Sequence, residues 1–475
     1  MVTTADVIAA PIGHVIAPAG CGKTQLIADS LAPVSDRPVL VLTHTTSGVA
    51  ALRNRLKSAG IPSAHYRLST IAGWALSMIS MFPERAGYYQ NPLAPPAYSV
   101  VQAAIGRLCA STDINAELQA TYQRVMVDEY QDCSRTQHQI IFGLAQALPT
   151  VVLGDPMQAI FGFNANDPLP DWNTTVAAAY PLLGELTTPW RWNNAGAPAL
   201  GQWLLEARAA LISGQPVDLR TCPAHIHWQQ ITGVSQTDLN AQVAAQYAIL
   251  RANPRESLLI VGDPIQSVSR HNYAKRAIGV SVVEPVDYRD IIGSIEAMAG
   301  TSGHALLQHC ISFLITVMTN VYGDRLQTRI QSIIAGRNRT AATPSEVAAI
   351  ALHNNGQYRE AIAFLQAMEA DTDRRVYRWS AYNLMLEALD MAASGSAELS
   401  EAAAQLREKR RHAGRSIPNK AVGSTLLLKG LEADHVLLLD ADNPGRSRMS
   451  KEHLYVALSR GAKSVTVFSR NPVLP

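Results

Sequence analysis

Two short stretches of this chain carry residue types that can handle a nucleoside triphosphate. The first is Ala17-Pro18-Ala19-Gly20-Cys21-Gly22-Lys23-Thr24, which follows an apolar run and opens a helical pattern. That is the setting a phosphate-binding loop requires. Gly20 and Gly22 let backbone N–H groups turn toward phosphate oxygens, and the helix start adds its positive end. Lys23 is placed to reach the β- and γ-phosphates, and Thr24 to hold Mg2+. The strict pattern has glycine where Ala17 stands. The second stretch runs from Val125-Met126-Val127 into Asp128-Glu129-Tyr130-Gln131-Asp132. An acid at a strand end, here Asp128, can anchor Mg2+, and its neighbour Glu129 can polarise an attacking water as general base. A merely charged strand-to-helix turn is the competing reading, and the phosphate loop upstream weakens it.

A third feature is a repeated phrase. Gly-Asp-Pro-Met-Gln at 154–158 and Gly-Asp-Pro-Ile-Gln at 262–266 each end an apolar run. The second copy reads as a structural strand exit, with a second phosphate or DNA contact as the alternative.

The elements that must position these residues alternate. Apolar runs at 14–16, 38–43, 124–127 and 150–153 read as buried strands, with helical patterns at 24–32 and 46–59 between them. Such alternation predicts a parallel sheet covered by helices on both faces, with ligands at the C-terminal strand ends. Residues 82–122 break the rhythm with a Pro- and Tyr-rich loop and then helix. Strands return at 225–230, 257–261 and 280–284. Residues 290–414 read as helical, with Thr343-Pro344-Ser345-Glu346 as a capped start. Strands at 424–428, 435–440 and 464–469 follow, with a helix from about residue 451.

Composition sets the outer limits. With 475 residues, a net charge of +2 and only 16% charged residues, the chain has no global basic field of the kind that marks many nucleic-acid binders. Five widely spaced cysteines without a CxxC pair argue against a disulfide framework or a zinc site and fit a reducing cytoplasm. The N-terminus does not read as a signal peptide. No apolar run approaches the roughly 18 residues of a membrane span, so no membrane partner is expected.

The order of these motifs resembles the UvrD/Rep-type superfamily 1 DNA helicases. The resemblance rests on AGxGKT in the phosphate loop, on Asp128-Glu129-Tyr130-Gln131-Asp132, and on Gly154-Asp155-Pro156-Met157-Gln158-Ala159-Ile160-Phe161-Gly162-Phe163. Nearer the C-terminus it rests on Lys429-Gly430-Leu431-Glu432 and on Leu454-Tyr455-Val456-Ala457-Leu458-Ser459-Arg460-Gly461. It implies an α/β fold of two RecA-like P-loop NTPase lobes with parallel sheets, each interrupted by a mainly helical insertion, with ATP and Mg2+ between the lobes. The corresponding segments are 1–81 and 123–186 for the first lobe around an insertion at 82–122, and 187–289 and 415–475 for the second around 290–414. The resemblance further implies catalytic roles for Lys23, Asp128, Glu129, Gln158, Arg191 and Arg460. Gln158 would contact the γ-phosphate, Arg191 would reach it from the second lobe, and Arg460 would be the arginine finger. Ala19, Gly20, Cys21, Gly22, Lys23, Thr24 and Gln25 would surround the phosphates. Trp190 would stack on adenine, and Gly430 and Glu432 would lie at the ribose. Thr24 and Asp128 would be the metal ligands. His44, Thr70, Phe161 and Phe163 would meet DNA, the two phenylalanines by stacking on bases, which suits a sequence-blind motor.

Several departures fall on the DNA side. His44 and Ser47 replace a phenylalanine and a lysine, Ala72 and Leu426 stand where histidines are usual, and Asn164 replaces an arginine. The family's N-terminal glutamine motif has no counterpart in residues 1–13, which leaves base selectivity open. Arg407, Lys409, Arg410, Arg411, Arg415 and Lys420 form a local basic cluster, read as a solvated helix end in preference to a phosphate contact. No nuclease motif follows Arg460. The expected activity is an ATP-dependent 3′–5′ helicase or translocase on single-stranded or partial duplex DNA. The alternative is a regulatory ATPase that controls a nuclease or another protein partner, similar in scale to the UvrD-like proteins of two-gene phage-defence systems.

Overall fold

The computed structural model describes residues 2–33, 36–89, 97–162, 164–285, 288–354, 356–413, 418–442 and 449–474. Contacts group the chain into two compact units, Met1–Gln230 with Lys429–Pro475, and Ile231–Leu428.

The first unit contains a six-stranded sheet built from β1 (Ile12–Ile16), β2 (Val39–Thr43), β3 (Tyr66–Thr70), β4 (Val125–Val127), β5 (Thr150–Gly154) and β6 (Leu182–Glu185). Their order is β3-β2-β4-β5-β1-β6, and every ladder is parallel. β2, β4 and β5 are buried along their whole length. Successive side chains enter opposite cores. Leu40, Leu42, Val125, Val127 and Val152 pack on one face, while Val39, Val41, Met126, Val151 and Leu153 pack on the other. This is the near-continuous apolar signature of a parallel sheet covered on both sides. The register pairs Ile16 with Gly154 and Leu42 with Val127. The phosphate loop, the acidic step and the first Gly-Asp-Pro phrase therefore leave the sheet from one edge. The inserted segment forms helices at Pro83–Ala86, Tyr98–Ala110 and Asn115–Thr121.

The remaining strands are β7 (Val217–Asp218), β8 (Ile226–Gln230), β9 (Leu258–Val261), β10 (Ser281–Val282), β11 (Lys420–Gly423), β12 (Ala433–Leu438), β13 (Gly461–Ser469) and β14 (Val473–Leu474). β7 and β14 pair antiparallel. In the first unit β12, β13 and β8 form parallel ladders, and in the second β10, β11 and β9 do the same. Parallel ladders among helices, one set opened by a phosphate loop, fit the expected α/β class of RecA-like lobes.

In the second unit, helices from Arg289 to Ala413 surround their own core, which includes Ile295, Leu307, Phe313, Phe364, Met385 and Leu389. Thr343 accepts from Glu346 N and Glu346 reciprocates, as its sequence requires. Arg378 is buried, with its guanidinium on Glu284 at 2.7 and 2.8 Å and on Asp290 at 2.8 Å.

Two strand assignments change. Residues 424–428 are not a strand: β11 ends at Gly423, and Thr425–Leu428 form a helical turn. Ser424 Oγ accepts from Leu427 N, so a serine cap outweighs the apolar leucine run, which has no period of its own. The run at 280–284 supplies only Ser281–Val282. β3 and β6, two edge strands of mixed polarity, were not anticipated.

Candidate nucleotide site

The phosphate loop joins β1 to the helix Lys23–Leu31. Gly20 and Gly22 have φ of +68° and +94°, a region that side chains rarely tolerate. Space excludes a side chain as well. A Cβ on Gly20 would lie 2.8 Å from the Trp192 ring, and one on Gly22 would lie 3.1 Å from Trp190 Cδ1. The loop is moored by Ala17 N, which donates to Gly154 O at 2.8 Å, and by Ala19 N, which donates to Tyr455 Oη at 3.1 Å. Cys21 is buried, and burial pushes its thiol up to about 12, so its backbone is what it offers an anion.

Lys23 Nζ lies 2.8 Å from Asp128 Oδ1 and also pairs with Glu129 Oε1. Burial opposes its charge, yet the two carboxylates outweigh burial and hold the ammonium above its ordinary range. For Glu129 burial is likewise outweighed, by Lys23 and Lys429, and its carboxyl falls to about 2. Burial and the neighbouring Glu129 raise Asp128 despite Lys23. Asp128 is fixed by its N–H to Leu42 O at 2.8 Å. Glu129 follows with φ of +54°, strained backbone for a side-chain-bearing residue. Gln131 braces it: Nε2 donates to Glu129 Oε2, and Oε1 accepts from Asp155 N at 3.1 Å.

Gln158 is 7% exposed. Its Oε1 accepts from Arg460 Nη2 at 3.2 Å, and its Nε2 donates to Asp155 Oδ2 at 3.2 Å. Arg460 is buried, and burial together with Arg191 lowers it to about 10. Arg191 Nη1 donates to Ser459 O at 2.6 Å, and Nη2 pairs with Glu432. Glu432, expected at a ribose, pairs with Arg191. Trp190 is 53% exposed and lies beside Gly22. Gln25 bridges Asp29 and Arg55. Gly430 has φ of +80° in open space. Thr24 stands on the first turn after Gly22.

Of the residues expected at DNA, His44 and Phe161 meet, with ring centroids 5.9 Å apart. Burial lowers the His44 pKa and favours the neutral ring. Thr70 caps the helix Ile71–Met81 by accepting from Gly73 N at 2.9 Å. Phe163 lies outside the described residues. In the basic cluster, Arg410 bonds Ser380 O and Glu387, and Lys420 bonds Pro254 O. The Arg411 side chain and Arg415 are outside the described residues.

Sequence reasoning missed three parts of this site. Lys429 Nζ contacts both oxygens of Asp132 at 2.6 Å and lies 4.8 Å from the Phe161 centroid. Tyr455 holds the phosphate loop. Arg208, on the helix Pro198–Ile212, bonds Asp155. Its signal was the helical spacing of Leu200, Leu204 and Leu211, which places residue 208 on the buried face.

A family model of the UvrD/REP helicase N-terminal domain matches residues 98–169. That span holds the acidic step and the first Gly-Asp-Pro phrase, whose side chains meet Lys23 and Arg460. Over that span the chain is similar to the UvrD/Rep-type superfamily 1 helicases. Among curated UvrD/Rep relatives, it is 36% identical over 69 residues to the exonuclease/helicase subunit RexA of Lactococcus lactis subsp. cremoris strain MG1363. An ATP-dependent helicase/nuclease subunit from strain SK11 of the same subspecies matches at the same identity and length. Each match covers 14% of this chain, and the chain spans only 6% of the length of these relatives. Among solved structures, the complex of Arterivirus nonstructural protein 10 (helicase) with DNA aligns with 98% of this chain and 62% of that one, at 8% identity and a TM-score of 0.36. No helix of the described residues is long and apolar enough to cross a membrane.

Proposed function

We propose that this chain hydrolyses ATP and uses the cycle to move along single-stranded DNA, in the 3′–5′ direction that the family resemblance implies. The observation that carries the reading is the convergence of Lys23, Asp128 and Glu129 with the Gln158–Arg460 contact. Lys23 can pass from its carboxylates to a phosphate. Asp128 and the Thr24 hydroxyl form a hard oxygen donor set that would hold Mg2+, and the ammonium already drawn to Asp128 shows that this corner favours positive charge. Mg2+ would supply charge neutralisation at the phosphate oxygens. Glu129, ionised at neutral pH, would take the proton from the attacking water. Arg460 and Arg191 would stabilise charge developing on the transferred phosphoryl group. Trp190 would carry the base, and Phe161 would stack on DNA.

A second reading has its own support. His44 and Lys429 both lie against Phe161, which leaves less of that ring for a base, and the relatives are named as subunits of helicase/nucleases. In this reading the chain is an ATPase that regulates a nuclease partner.

The test is the ATPase rate with and without single-stranded DNA, for the wild type and Glu129→Gln. DNA stimulation, with a loss of about 10²- to 10⁴-fold in the variant, is the expected result. A DNA-independent rate that still dies in Glu129→Gln would favour the regulatory reading. No hydrolysis by the wild type would overturn both.

A further inference from the structure

Gln158 can work only if its amide presents the oxygen, not the nitrogen, to Arg460. The structure shows what enforces this. Gln158 Nε2 donates to Asp155 Oδ2, so a flipped amide would set oxygen against carboxylate and NH2 against guanidinium. Asp155 is itself fully buried. Its Oδ1 accepts from Met157 N at 3.1 Å and from Arg208 Nε and Nη2 at 3.1 and 2.9 Å. The third arm of Arg208, Nη1, reaches Glu185 Oε1 at 2.9 Å, at the end of β6. Nε and Nη2 of Arg208 converge on the one oxygen Oδ1 while Nη1 is held by Glu185, which leaves Oδ2 turned to Gln158; a planar guanidinium makes these contacts at once, and a lysine point charge does not.

We infer that Arg208 is a positioning residue for hydrolysis: by fixing the Asp155 carboxylate it sets the orientation of the Gln158 amide and so the Gln158–Arg460 contact. The chain of contacts runs from the helix Pro198–Ile212 through Asp155 and Gln158 to Arg460, and no step of it needs Arg208 to touch the nucleotide. This inference rests on the proposed ATPase activity.

The experiment measures kcat and KM for ATP, with thermal unfolding, for the wild type, Arg208→Gln, Arg208→Lys, Gln158→Ala and the double variant Gln158→Ala/Arg208→Gln. Misplacing a catalytic group by about an ångström costs on the order of 10²-fold. Arg208→Gln is therefore expected to lower kcat by about 10- to 100-fold while KM for ATP stays within about twofold. Arg208→Lys recovers part of the loss. In the Gln158→Ala background, Arg208→Gln adds little further loss, because contacts in series are not additive. A purely structural arginine would instead add its defect in full, or would reduce kcat only as far as the folded fraction falls, and either result overturns the inference. Should Arg208→Gln not fold, Asp155→Asn/Arg208→Gln removes the stranded carboxylate charge. The same kcat defect is expected there, and wild-type kcat in that variant overturns the inference. A folded Arg208→Gln with wild-type kcat overturns it alone and leaves the ATPase intact. A wild type that hydrolyses nothing overturns the functional reading and this inference with it.

Discussion

The two Gly-Asp-Pro-x-Gln phrases share a local job and differ in company. In each, the aspartate turns back on its own loop: Asp155 Oδ1 accepts from Met157 N, and Asp263 Oδ1 accepts from Ile265 N and Gln266 N at 2.7 Å. Each phrase ends a strand, β5 or β9, and converts it into a turn. Beyond that the two part. Asp155 and Gln158 are buried and bonded to Arg208 and Arg460. Gln266 is exposed, and beside it Ile265 and Val268 are 71% and 65% exposed. A five-residue phrase encodes the strand exit, whereas the arginines that meet its side chains come from elsewhere in the chain. The comparison supports reading the second copy as structural.

The largest effect expected from this contrast is on stability. Asp155→Ala would strand the buried Arg208, and removing one partner of a buried pair costs about 3–5 kcal/mol, readable as a drop in unfolding midpoint. Asp263→Ala removes an Asx-type cap, worth about 1 kcal/mol, and should leave ATPase unchanged. Equal losses at the two aspartates would break the comparison. Next in size is turnover. Gln158→Ala should lower kcat by about 10²- to 10³-fold, the usual loss when a transition-state contact is removed, while Gln266→Ala should leave kcat within about twofold. A comparable loss in Gln266→Ala would assign the second phrase a role in the reaction.

The smallest effect sharpens the first phrase through Lys429, whose ammonium bonds both Asp132 and Gln158 O. Burial lifts Asp132 to about 7, with Lys429 offsetting only part of that rise. A carboxyl that holds its proton more tightly when folded contributes stability at low pH. That contribution is lost as pH rises from about 4, where the unfolded chain ionises, to about 7, and is flat above. Unfolding midpoints measured across this window should show the decline in the wild type and not in Asp132→Asn. Identical slopes would place the raised carboxyl elsewhere.

The parts of this protein that were legible in sequence are those where physics limits the residue type. Gly20 and Gly22 take a backbone that side chains rarely adopt, and Asp128 and Glu129 follow a buried strand. The strands β1, β2, β4, β5, β9 and β12 could be read as short apolar runs because nearly all their residues are buried. β3 and β6 lie at sheet edges with mixed burial, and their polarity hid them. The leucines at 426–428 had no period to separate helix from strand, and Ser424 decided the matter locally. Arg208 was missed because an arginine on a helix reads as solvated unless its partner is known, and its partner lies on β5's exit, far away in sequence. The role expected of Glu432 came from family resemblance alone, and its pairing with Arg191 had no signal in the sequence.

One consequence follows from β4. The strand has three residues, Val125, Met126 and Val127, all without solvent exposure, and they alternate between two different cores. Because a strand's side chains repeat every second residue, a one-residue insertion or deletion within it would send each of them to the wrong core. The same slip would shift Asp128 and Glu129 off the sheet edge. The length of this strand is thus a ruler marked in steps of two, and the acids are placed by the cores' refusal of any odd-numbered change.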